Sequence, residues 1–202
     1  MKKTTFALAV AAAITAASMS IPALAATDVE MDAANLAIIA LLNDNTDMSY
    51  EDAVAAAIAA NPDLKEAIII AAAAARPDLV GSIITAYPAF AEAIITAAVT
   101  ARPDLVESIM VNAIAAYKAV YGSGSPEFDA GLQKMVSAAV TVVGAESPSV
   151  KLISNALKTS EIPARISANT LISAGVSTKT VLAETGSTGG PAPATSSTAS
   201  PS

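Results

Sequence analysis

Four prolines, Pro62, Pro77, Pro88 and Pro103, divide the middle of the chain at intervals of 15, 11 and 15 residues, so the pattern returns every 26. The letters return with it. Residues 62–76 lie over residues 88–102, both starting at proline and ending at arginine, with Glu66 over Glu92. Pro77-Asp-Leu-Val lies over Pro103-Asp-Leu-Val, and Glu51–Val54 aligns in turn with Pro77–Val80. This amounts to two and a half copies of one unit.

Proline has a fixed φ and no N–H, so it breaks a helix interior but costs nothing in the first turn. It also pushes the residue before it out of the helical region. Asp63, Asp78 and Asp104 follow directly and place negative charge at the positive end of a helix dipole. Each proline therefore ends one helix and begins the next. Helices of about 10–14 residues result, roughly 15–21 Å long at 1.5 Å per residue.

Within these segments the large apolar residues keep helical spacing. Leu79, Ile83 and Tyr87 form one row, with Val80 and Ile84 beside it. Val106, Met110 and Ile114 repeat the pattern beside Leu105 and Ile109, and Phe90, Ile94 and Val99 do so between them. Alanine fills most other places. It favours helix, and its small side chain lets helix axes approach closely. The expectation is an all-α fold of short Ala-rich helical-hairpin repeats with period 26, stacked like an α-solenoid. One long helix kinked at each proline would leave the apolar rows unpartnered in water. A membrane-surface helix would carry mainly Lys and Arg on its polar face, whereas residues 51–117 hold three bases against eight acids.

The flanks read as follows. Residues 1–25 have a basic start, a short apolar run and an Ala-x-Ala site, the pattern of a bacterial secretory signal peptide cleaved after Ala25. Residues 26–50 form a capping helix and a polar turn. Thr27-Asp-Val-Glu30 is a capping box, and the helix after it is expected to run to about Leu42 with Leu36, Ile39 and Leu42 buried. Asn43, Asn45 and Asp47 alternate like calcium ligands, but Met48 stands where such a loop needs glycine and Val54 where it needs a bidentate glutamate. Ser49 caps the next helix. The repeat region covers 51–117, and 118–125 is a Gly/Ser hinge around Gly122-Ser-Gly-Ser.

Residues 126–184 form a C-terminal helical region. It opens with a helix from Pro126 to about Val143, with Gly144 placed to end it. Two shorter helices are expected over 147–159 and 162–174, and the β-branched run at Val140-Thr-Val-Val leaves a strand open there. Residues 185–202 contain only small and polar residues and proline, and are expected to be disordered.

The chain has no cysteine, histidine or tryptophan. That removes disulfides, an acylated cysteine, Ser-His and Cys-His nucleophiles and His-ligated metal. No phosphate-binding loop or zinc-protease motif occurs. No cofactor and no metal are expected, and no enzyme activity. Without the leader, 9 basic face 18 acidic residues, and 13 of the acids lie in residues 26–107. Such a charge argues against nucleic acid, which is bound by clustered Lys and Arg. No apolar run after residue 26 is long enough to span a membrane.

Two surfaces are candidates for binding. If the helix after the hinge swings away, Leu105, Ile109, Met110 and Ile114 open to a protein partner or a second copy. The repeat-equivalent pairs Glu66 with Glu92 and Arg76 with Arg102 would line one edge of the stack, as a solvated face or a polar partner strip. The expectation is an exported bacterial structural or protein-interaction repeat protein of the periplasm or extracellular matrix, acting by binding or self-assembly. The alternative is a periplasmic carrier of a small apolar ligand held between helix pairs.

Overall fold

The computed structural model describes residues 27–45 and 47–185. The expected leader and the expected tail lie outside them, except Thr185, which ends the last helix. Among the described residues there are ten α-helices and no strand. They are α1 (Asp28–Asp44), α2 (Tyr50–Ala60), α3 (Lys65–Ala75), α4 (Val80–Ala86), α5 (Ala91–Ala101), α6 (Val106–Tyr121), α7 (Pro126–Val143), α8 (Ser149–Thr159), α9 (Ala164–Ser173) and α10 (Thr178–Thr185).

The starts are set by local chemistry. Thr27 Oγ accepts from the Glu30 N–H, and the Glu30 carboxylate accepts from the Thr27 N–H, which completes the capping box. Ser49 Oγ accepts from the Asp52 N–H at 3.1 Å, and Ser125 Oγ from the Phe128 N–H at 3.1 Å. Each repeat proline opens a 3₁₀ turn of three residues, Pro62–Leu64, Pro77–Leu79, Pro88–Phe90 and Pro103–Leu105. An α-helix follows each without a break. The residues before the prolines share one non-helical backbone: φ lies between −140° and −132° and ψ between 60° and 73° at Asn61, Arg76, Tyr87 and Arg102. The bend between the segments 62–75 and 77–86 is 110°.

Helices two apart in sequence lie side by side. α1 packs on α3, α3 on α5, α5 on α7 and α7 on α9; α4 packs on α6 and α6 on α8. Neighbours in sequence also touch, α1 with α2 and α6 with α7 among them. One continuous apolar core runs from Ala34 to Val181. Its large members include Ile68, Ile69, Ile84, Ile94 and Ile95, each contributing about 1.5–3 kcal/mol on burial. Alanines such as Ala53, Ala57, Ala72 and Ala98 are fully enclosed and set the close spacing.

Small residues mark the tightest crossings. A Cβ on Gly81 would lie 3.3 Å from the Asn112 carbonyl oxygen, so α4 meets the α6 backbone there. Its counterpart 26 residues on is Glu107. A Cβ on Gly131 would run into the Tyr117 ring, which is packed against Tyr121 at 4.6 Å and Phe128 at 6.3 Å between centroids.

Several expectations are corrected. α1 runs to Asp44, and its buried face carries Ala34 and Ile38, with Met31, Leu41 and Leu42 half-buried. Leu36 and Ile39 are 67% and 51% exposed, and Val29 is 75% exposed. The helix has two apolar stripes, and the one spaced 31, 34, 38, 41 meets the core. α6 continues through Tyr121, so the connection to α7 is only Gly122–Ser125. Val140-Thr-Val-Val is helical, because α7 packs along α5, α6 and α9 and burial outweighs β propensity. α10 was not foreseen; its start is signalled by Ser177, whose hydroxyl accepts from the Thr180 N–H at 3.3 Å.

Candidate functional site

The first candidate surface is core. Ile109, Met110 and Ile114 are buried, and Leu105 is half-buried against the same cluster. α6 is enclosed by α4, α7 and α8, and Tyr117 sits in the notch left by Gly131. These residues bind the chain to itself. The stripe is covered by α7, the helix after the hinge, and α4 and α8 enclose the rest of α6.

The residues of the polar strip fall at helix starts and at the proline junctions. Glu66 and Glu92 hold equivalent places in the first turns of α3 and α5, which pack together. Neither forms an ion pair with a base among the described residues. The arginines form pairs within their own junctions. Arg76 Nε and Nη2 donate to the two Asp78 carboxylate oxygens at 3.0 and 2.7 Å. Arg102 repeats this with Asp104 at 3.0 and 2.8 Å. The shared hydrogen bonds hold both carboxyls below the ordinary aspartate range and raise both guanidinium values. All four groups are exposed, so solvent screens the charges and the pairs shape the turn more than they stabilise the fold. The Arg-Pro-Asp spelling could have indicated this clamp, since one proline separates the two partners.

The junctions differ in their aromatic neighbours. The Arg76 guanidinium lies over the Tyr50 ring at 5.4 Å, and burial raises the Tyr50 hydroxyl above its usual range. Lys65 Nζ lies 5.6 Å from both the Tyr87 and Phe90 rings. These are cation–π contacts that tie one junction to the next helix pair.

An open cleft of about 270 Å³ lies where α7 meets α9, lined by Asp129, Gln133, Arg165 and Asn169 with Ile166, Thr170 and Ser173. Its side chains are mostly polar, unlike the lining a small apolar ligand needs. No group of three or more His, Cys, Asp or Glu able to hold a metal occurs among the described residues. Asn43 lies in the last turn of α1 and α2 begins at Tyr50, so both flanks of the 43–54 segment are helical. No single helix among the described residues is long and apolar enough to cross a membrane.

The fold and its surface define an all-helical protein of closely packed short helices. Comparison of the chain with protein-family models, with characterised proteins and with solved structures returns no match.

Proposed function

We propose that the chain is an exported bacterial structural or protein-interaction protein of the periplasm or extracellular matrix, working by binding or self-assembly, with its helices stacked as an α-solenoid of period 26. The observation that carries this reading is the repeated junction. Two stretches 26 residues apart share letters, helix lengths and the same Arg–Asp clamp. A stack made by repetition has ends, and an end that is not polar is an attachment point. Part of the core is supplied by alanine, which suits a scaffold and leaves little room for a ligand cavity. The buried α6 stripe is not the attachment surface in this reading; exposed faces are.

Material purified from its natural source and analysed by N-terminal sequencing and native mass spectrometry tests the proposal. The expected result is a chain beginning at Ala26 that carries protein mass, its own or another's. A retained lipid-like mass would favour the carrier instead. A chain that keeps residues 1–25 and carries no bound mass would end the reading.

A further inference from the structure

We infer that copies of this chain join head to tail, the outer face of α1 on one copy meeting the outer side of α9 and α10 on the next. The inference rests on the assembly reading above and names its partner as a second copy. Large apolar side chains are exposed at both ends of the packing order. On α1 they are Leu36 and Ile39, at 67% and 51% exposure; on α9 and α10 they are Ile172 and Leu182, at 44% and 46%. α1 packs chiefly on α2 and α3, and α10 on α9, so each is the last layer at its end.

Charge then pairs unlike ends. Residues 27–60 hold seven acidic and no basic side chains, whereas residues 149–185 hold four basic and two acidic. Asp32 lies one turn before Leu36 on the exposed stripe of α1, and Lys179 lies one turn before Leu182 on α10. Neither is ion-paired within the chain among the described residues. Two copies of the α1 end would bring like charges together, which costs free energy, while unlike ends attract. Such a contact uses different surfaces on the two partners, so it repeats into a filament or closes into a ring.

Two blocked variants test this in the full-length chain as its host processes it. Leu36→Glu with Ile39→Glu blocks the head; Ile172→Glu with Leu182→Glu blocks the tail. All four side chains are exposed, and an unchanged far-ultraviolet circular dichroism spectrum checks that the fold is kept. Sedimentation velocity is run over an about hundredfold concentration range spanning micromolar affinity. The parent is expected to grow beyond dimers as concentration rises. Each blocked variant alone stays monomeric, its association weakened at least about tenfold by the buried charge. An equimolar mixture of the two forms dimers and nothing larger, because one free head meets one free tail. A tail-blocked variant that dimerises alone would mean α1 pairs with α1 and would overturn the inference. A parent that stays monomeric throughout, or a mixture that does not pair, would overturn it too. If another protein's mass is found on the natural material while the parent remains monomeric, the interaction reading survives and the head-to-tail contact does not.

Discussion

Glu161 and Gly175 hold the same place at the ends of two helices, and only one of them suits it. After α8 the Ile162 N–H donates to the Leu157 carbonyl at 3.0 Å, and after α9 the Val176 N–H donates to the Leu171 carbonyl at 3.1 Å. Both are six-residue closures with a left-handed residue before a buried apolar one. Gly175 takes φ 91° freely, whereas Glu161 at φ 59° carries a Cβ penalty. Its 3.8 Å contact with Lys118 is exposed and worth little. Glu161→Gly is therefore expected to stabilise the chain by about 0.5–1 kcal/mol, read as a higher urea midpoint at unchanged slope. Gly131→Ala goes the other way. Its methyl must displace the enclosed Tyr117 ring, a loss of about 1–3 kcal/mol that exceeds the helix-propensity gain of about 1 kcal/mol. Pairing it with Tyr117→Leu should recover part of the loss. A third expectation concerns acid. The Thr27 N–H and hydroxyl donate to Glu30 at 2.8 and 2.9 Å and lower its carboxyl below the usual range. A lowered folded value means the bond stabilises above the unfolded value, about 4.3, and is lost as pH falls through the folded one. Amide protection at residues 28–31, taken relative to the intrinsic exchange rate at each pH, should fall across that acidic window in the parent, and Glu30→Gln should abolish the step.

Among the elements, the proline junctions decide the shape. Pro77 is buried, and Arg76 before it is held out of the helical region at φ −132°, ψ 73°. Alanine at position 77 frees the unfolded chain, removes buried ring surface and lifts the local block that ends α3. Pro77→Ala is expected to lower stability by about 1 kcal/mol or more while adding no helix, because the 110° bend is needed for α4 to reach α6. Circular dichroism and urea unfolding of Pro77→Ala and Pro103→Ala check this. If both variants match the parent in stability and compactness, the paired-helix reading loses to one long kinked helix. The clamps beside these prolines add geometry, since a bidentate Arg–Asp pair spanning one proline narrows the turn that can form.

For the molecule as a whole, each helix depends mainly on the helices one and two away. Stability should therefore fall from the middle toward the ends. α5, α6 and α7 have partners on both sides, whereas α1 and α10 have them on one. Native-state amide exchange is expected to be slowest in α5–α7 and fastest in α1 and α10, with graded values between. One uniform exchange free energy across all ten helices would contradict this picture. Head-to-tail assembly, where it forms, should slow exchange at α1 and α10 selectively.

Helical character and most helix starts are legible in the letters, because proline, capping hydroxyls and the glycine after α7 act on their immediate neighbours. Thr27, Ser49, Ser125, Pro77 and Gly144 do what short-range chemistry requires of them, and the 26-residue spacing was visible before any contact was known. What the letters did not carry was which apolar stripe finds a partner. α1 offers two, and the Ala34–Ile38 stripe is buried by packing on α3 while Leu36 and Ile39 stay exposed. α6 offers one, and α7 lies against it with the Tyr117 ring in the notch at Gly131. Hydrophobic burial has no direction of its own. Periodicity states that a face is apolar, and only the arrangement of helices distant in sequence assigns that face to the core or to the surface.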